Sequence, residues 1–207
     1  MNAPRSYTAD TDAARQANVN NFIDQSGKYK GEFTLAEAVV SKKGTEGIEF
    51  SFKSEDEQQA NYLTLWTYNE RGEALYGYKV LNAIMTVMGI KQLTAKQGNI
   101  EDKDGNQRQV IAFPDLHKKP VGLVLQKVLY TKKDGKDGYK FNILAPFQAS
   151  SELIAKELLD GKTQPQALAG IVSSLKDKDE RTGGNSGGHS HGGPTSMPDD
   201  PFGDDFY

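Results

Sequence analysis

Ile48-Glu49-Phe50-Ser51-Phe52-Lys53 alternates apolar and polar side chains, and its reading governs the rest of the chain. Period-two alternation sends one set of side chains to a core and the other to the opposite face, the mark of a half-buried β-strand. Upstream, Lys28 to Val40 carries the same signature: Tyr29, Phe33, Leu35 and Val39 share one parity, and Lys28, Lys30, Glu32 and Thr34 the other. The loop residues Ser41-Lys42-Lys43-Gly44-Thr45-Glu46 join the two runs, which predicts a hairpin. Downstream, a third strand from about Asn61 to Tyr68 separates Leu63 and Leu65 from Tyr62, Trp66 and Tyr68.

Beyond these strands the period changes. Leu81, Ile84, Met85 and Met88 fall at helical spacing before Gly89, so an amphipathic helix is expected over roughly residues 75–88. Thr94 to Gln109 is polar and weakly patterned. Val121 to Tyr130 and Tyr139 to Phe147 read as strands joined by Thr131-Lys132-Lys133-Asp134-Gly135-Lys136-Asp137-Gly138, a second hairpin with a basic turn. Two helices are expected after it, Ser151 to Leu159 and about Gln164 to Leu175, the second with a capping box from Thr163 to Gln166. The order of three strands, a helix and two strands predicts a mainly β fold with α: an OB-fold, a five-stranded Greek-key barrel with a helix between strands 3 and 4, two C-terminal helices and a disordered tail.

The tail is legible from composition. Gly183 to Gly193 holds six glycines and no apolar side chain, as a flexible linker does. It leads to Asp199-Asp200-Pro201-Phe202-Gly203-Asp204-Asp205-Phe206-Tyr207, an acidic tip with three aromatics. The expected organisation is an N-terminal segment over 1–24, a body over 25–178 and a disordered linker and tip over 179–207. The formal net charge is -3, but four of the 28 acidic residues and none of the 25 basic ones lie beyond Arg181, so the body is nearly neutral. Within it, Lys118 to Lys140 holds seven Lys against two Asp, a patch that suits phosphate.

The chain has no cysteine, which removes disulfides, Cys-based zinc sites and thiol catalysis. With no signal-like apolar segment or membrane-length run, a soluble protein of the cytoplasm is expected. Catalytic motifs fail on spacing. Gly161-Lys162-Thr163 resembles the end of a P-loop, but Lys156 occupies the position where the first glycine is needed. Asp102-Lys103-Asp104-Gly105-Asn106 resembles the start of a calcium loop, but its glycine comes early and Phe113 stands at the twelfth position. His189 and His191 would have to order a glycine linker to hold a metal. No cofactor, metal or catalytic residue is expected.

In an OB-fold, the face of strands 2 and 3 and the loops joining strands 1 to 2 and 4 to 5 usually form the binding surface. Here the first loop carries Lys42 and Lys43, and the second carries Lys132, Lys133 and Lys136 with Lys140 just beyond; Lys53 lies on strand 2. These lysines either meet a line of phosphates or are simply solvated turn residues. Tyr62, Trp66 and Tyr68 either stack on bases or pack beneath a helix such as Ser151 to Leu175.

On these residues the chain resembles the bacteriophage-encoded single-stranded DNA-binding proteins. Gly-Leu-Val-Leu-Gln-Lys followed by Tyr-Thr-Lys-Lys-Asp-Gly-Lys-Asp-Gly-Tyr, within Val121 to Phe147, is similar to the last hairpin of phage OB-fold proteins of this kind. Asp199-Asp200-Pro201-Phe202 is similar to the tip of bacterial single-stranded DNA-binding proteins, and Asp204-Asp205-Phe206 to the T7-like ending. Phe202 is internal here, whereas bacterial tips finish on the Phe carboxylate, so a phage partner is expected.

The resemblance implies a non-enzyme that binds and protects single-stranded DNA without sequence preference in phage replication, recombination and repair. Lys42, Lys43, Lys53, Tyr62, Trp66, Tyr68, Lys132, Lys133, Lys136 and Lys140 would contact DNA. Asp199, Asp200, Phe202, Asp204, Asp205, Phe206 and Tyr207 would recruit a polymerase, recombinase or nuclease, and would compete with DNA for the basic groove. No membrane partner is expected, and homodimerisation is compatible. The alternatives are an OB-fold adaptor between proteins that does not bind DNA, and a metal-dependent nuclease using Glu55, Asp56 and Glu57, three neighbouring acids that do not converge on one ion.

Overall fold

Phe33, Phe50 and Phe52 meet at the centre of the core in the computed structural model, all at most 1 % exposed, with the ring of Phe33 4.6 Å from that of Phe50 and 6.1 Å from that of Phe52. Burying each ring contributes about 1.5–3 kcal/mol. The structure describes residues 7–11, 21–101 and 105–181; the linker with His189 and His191, the tip from Asp199 to Tyr207, and most of the segment 1–24 lie outside the described residues, as do Asp102 to Asp104.

The strands are β1 (Gly27–Val40), β2 (Glu46–Ser54), β3 (Gln59–Tyr68), β4 (Lys96–Glu101), β5 (Gln107–Ala112), β6 (Pro120–Thr131), β7 (Asp137–Phe147) and β8 (Lys178–Asp179). The helices are α1 (Tyr76–Val87), α2 (Ala155–Leu159) and α3 (Ala167–Ser173). All eight strands join one sheet, antiparallel except where β8 runs parallel to β6. β1 is the pivot: it pairs along one edge with β2, and along the other with β6 through Gly27 to Glu32 and with β5 at Glu37. β2 continues to β3 and β6 to β7. β3 and β7 approach each other, and α1 packs against both. No ladder joins β3 to β7 among the described residues, so the sheet is open. No helix among the described residues is long and apolar enough to cross a membrane.

This corrects the expected five strands. β4 and β5 form an additional hairpin, paired from Lys96↔Ala112 to Glu101↔Gln107, within the region that read as patternless. Strand parity also changes within β1. The pairing passes from Phe33↔Phe52 to Leu35↔Ser51, so Thr34 is an extra residue that flips the later side chains. Ala36 joins Phe33 in the core, whereas Leu35 and Val39, expected there, are half-buried on the face that carries Glu37.

The C-terminal helices are shorter than expected, and the second begins at Ala167 with no capping bond from the Thr163–Gln166 pattern. A single buried carboxylate organises both. Glu157, 3 % exposed, accepts from the backbone N–H of Ile154 at the start of α2 (3.2 Å) and from those of Gln166 (2.8 Å) and Ala167 (2.9 Å) at the start of α3. The Gln166 and Ala167 bonds hold its pKa below the ordinary carboxylate value of 4.5. A depressed carboxyl contributes stability that is present above its unfolded pKa and lost as pH falls through the folded one. Glu157→Gln is therefore expected to melt at a lower temperature at neutral pH, with the gap to the parent protein closing as pH falls below about 4.5. A calorimetric pH series checks it: a constant gap would mean that shape, not charge, holds α3.

α3 lays Leu168, Ile171 and Val172 against Val124 and Phe147, forming a second, smaller core. Packing continues at both ends of the body. Ile23 is buried and its N–H bonds the carbonyl of Gln59, while Arg181 pairs with Asp137 (2.8 Å) and Asp179 (2.5 Å). That guanidinium holds Asp179 at about 2.

Candidate nucleic-acid interface

The outer face of β2 and β3 carries the side chains that alternation turns away from the core. Leu63 and Leu65 are 1 % and 8 % exposed, so Tyr62 and Trp66 point the other way. The pairing jumps from Phe50↔Leu63 to Phe52↔Ala60, a bulge that leaves Tyr62 at φ 61° and 52 % exposed. A non-glycine residue in the left-handed region is disfavoured, and bulges of this kind re-aim side chains near functional surfaces.

Trp66 is half-buried opposite Gly47. A Cβ at Gly47 would stand 2.9 Å from indole Cε3, so the glycine lets the indole lie on the sheet. Tyr68 packs against Tyr78 of α1, with ring centroids 5.3 Å apart. The aromatics therefore differ in exposure: Tyr62 is 52 % exposed, whereas Tyr68 is covered by Tyr78. The covering helix is α1, whereas α3 lies on Val124 and Phe147.

The two basic turns are built from local bonds. In the β1–β2 turn, Ser41 Oγ accepts from the N–H of Lys43 (3.2 Å) and Thr45 (3.0 Å), and Gly44 takes φ 86°, leaving Lys42 and Lys43 exposed. In the β6–β7 turn, the N–H of Lys132 bonds the carbonyl of Lys136 (2.8 Å), Asp134 Oδ1 accepts from Lys136 N–H (3.1 Å), and Gly135 takes φ 79°. Lys132, Lys133, Lys136 and Lys140 are exposed there. Because β6 is antiparallel to β1, its turn lies beyond the N-terminal end of β1, and the β1–β2 turn lies beyond the C-terminal end. The basic turns thus bracket the sheet from opposite ends.

Not every lysine is equally available. Lys28 and Lys30 both pair with Glu152 at 2.9 Å. Lys53 pairs with Glu57, and Lys136 pairs with Asp134 at 3.4 Å; these are exposed pairs of small net worth that a phosphate can displace. Glu55, Asp56 and Glu57 occupy the β2–β3 turn, and no cluster of three metal-ligating side chains occurs among the described residues.

Sequence reasoning missed an acidic row on this face. Glu37, Glu49 and Thr64 stand in register on β1, β2 and β3. Arg108 of β5 reaches Glu37 with two bonds of 2.6 and 2.7 Å, and Thr64 Oγ1 donates to Glu49 at 3.1 Å. Burial pushes the Glu49 carboxyl up, against the Thr64 bond, with Glu37 adding to the rise and Arg108 opposing it. Tyr139, 45 % exposed with Lys127 Nζ 4.5 Å from its ring centre, was also missed. Its parity with Phe141 and Ile143 reads as core, but β1 pairs with β6 only as far as Leu125, so this end of the hairpin projects beyond β1.

Chemically, this surface can stack flat rings and neutralise a line of anions. Compared with known proteins, the chain matches no family model, and no curated protein matches it in sequence.

Proposed function

We propose that the chain coats single-stranded DNA without sequence preference, in the manner of the phage single-stranded DNA-binding proteins it resembles, and recruits replication, recombination or repair proteins through Asp199 to Tyr207. The reading takes β1, β2, β3, α1, β6 and β7 as an OB-fold core of Greek-key order, with the β4–β5 hairpin, α2, α3 and β8 added to it. The order of these elements and the approach of β3 to β7 support that assignment. The observation that carries the function is the outer face of β2–β3, with Tyr62 open and Trp66 laid on Gly47, bracketed by two lysine turns.

Trp66 is the only tryptophan, so its fluorescence reports on this face alone. Titration with oligo-dT is expected to quench it, and Trp66→Ala to weaken binding by the worth of one stacked base, about 1–3 kcal/mol or roughly 5- to 150-fold. An unchanged spectrum together with unchanged affinity would remove Trp66 from the interface. The acidic row of Glu37 and Glu49 favours a second reading, an adaptor for a protein partner. Salt separates the two, because phosphate contacts make affinity fall steeply as salt rises.

A further inference from the structure

α1, the end of β7 and the start of α2 line a shallow, open cleft of about 210 Å³. Val80, Ala83, Leu144 and Ile154 contribute apolar surface, and Lys79 and Lys156 stand among its lining residues, both exposed. Neither ammonium pairs with a carboxylate among the described residues. None of the β2–β3 residues assigned to DNA lines this cleft. Ligand pockets usually measure roughly 300–1,000 Å³, so this one suits a side chain or two rather than a nucleotide. An apolar floor with lysines at its rim selects an aromatic ring flanked by acids.

The same chain carries that chemistry. Asp199-Asp200-Pro201-Phe202 and Asp204-Asp205-Phe206-Tyr207 set aromatics directly beside paired aspartates. Reach agrees with this. Arg181 is held at Asp137, the first residue of β7, and Leu144 lies about 23 Å further along that strand at a rise of roughly 3.3 Å per residue. A glycine-rich chain from Arg181 to Phe202 has a root-mean-square span of about 25 Å at roughly 5–6 Å times the square root of its length, so the linker matches the distance and keeps the local concentration of the tip near its maximum.

We infer that the tip, Asp199 to Tyr207, docks in cis in the α1–β7–α2 cleft, an aromatic ring on the apolar floor and the aspartates against Lys79 and Lys156. Docked there, the tip is held out of reach of partner proteins while the outer face of β2–β3 stays open. This is a different resting place from the basic groove expected of the sequence, and it does not depend on DNA binding.

The absence of cysteine makes the test direct, since Ser196→Cys gives a unique site for a nitroxide on the full-length chain. In DNA-free protein, the amide signals of Ala83, Ala145 and Ala155 are expected to broaden. Lys79→Glu with Lys156→Glu should restore them, and changing Asp199, Asp200, Asp204 and Asp205 to Lys in that background should broaden them again, which excludes simple damage to the cleft. Broadening centred on Trp66 and Lys140, no localised broadening, or indifference to charge reversal would overturn the inference. Mixing spin-labelled protein with isotope-labelled, spin-free protein covers the remaining case: broadening that persists between molecules would make a second copy the occupant and overturn docking in cis.

Discussion

Changing Lys132, Lys133 and Lys136 together to Gln is expected to lower affinity for oligo-dT by about two to three orders of magnitude near 0.05 M salt, and by little near 1 M. Counterion release sets the size of this effect. Each phosphate contact to a single strand adds roughly 0.7 to the slope of log affinity against log salt, so at about 0.05 M each is worth close to tenfold. Losing three contacts should flatten the measured slope by about two, a signature that a folding defect does not produce. The turn itself should survive, because it is held by the Lys132 N–H to Lys136 carbonyl bond, by Asp134 and by the positive φ of Gly135, not by the ammonium groups. Anisotropy titrations at four or five salt concentrations decide it. Parallel lines for the two proteins would mean that these lysines are only solvated turn residues.

The basic turn could be read from sequence because its chemistry is local: Lys-Lys-Asp-Gly-Lys contains its own turn signals and its own charge. The same holds for the alternation of Ile48, Phe50 and Phe52, which are all buried. What stayed hidden depends on contacts between distant segments. Lys96 to Glu101 and Gln107 to Ala112 are mostly exposed, with Val110 the one buried side chain among them, so the β4–β5 hairpin has too little buried face to write a period into the sequence. It is tied to the sheet by the pairing of Ala112 with Glu37 and by Arg108 reaching the Glu37 carboxylate, seventy-one residues away. The start of α3 is likewise fixed from outside the helix, by Glu157, while the nearby Thr163–Gln166 pattern contributes no cap. The bulges at Thr34 and Tyr62 each insert one residue, and a single insertion reverses every later parity in a strand. Alternation left open whether Tyr62 is exposed or packed beneath a helix, because its backbone conformation, and hence the direction of its ring, follows from the bulge.

Gly31→Ala is expected to destabilise the protein more than any surface change discussed above, by about 3 kcal/mol or more. Gly31, like Glu32 beside it, lies where β1 is flanked on both sides, paired with Ser54 of β2 and Val121 of β6. A Cβ there would lie 2.0 Å from the carbonyl oxygen of Lys53 and 2.7 Å from Ser54 Cα. Those are backbone atoms of a laddered strand, so relief requires β2 to move away from β1, and β6 on the other edge prevents β1 from retreating. Gly122 makes a useful comparison. Its Cβ would stand 2.1 Å from the ring of Phe147, but that neighbour is a side chain, and rotating it would disturb only the smaller core under α3. Gly98, also in a strand, has nothing within 4 Å of the added atom, so Gly98→Ala should be close to neutral. The order of damage expected is therefore Gly31, then Gly122, then Gly98. In thermal melts, about 3 kcal/mol corresponds to roughly 6–12 °C for a body of this size. Equal melting temperatures for Gly31→Ala and Gly98→Ala would show that the β1–β2 ladder is looser than its register implies, and would remove the rigid base on which the Trp66 face is built.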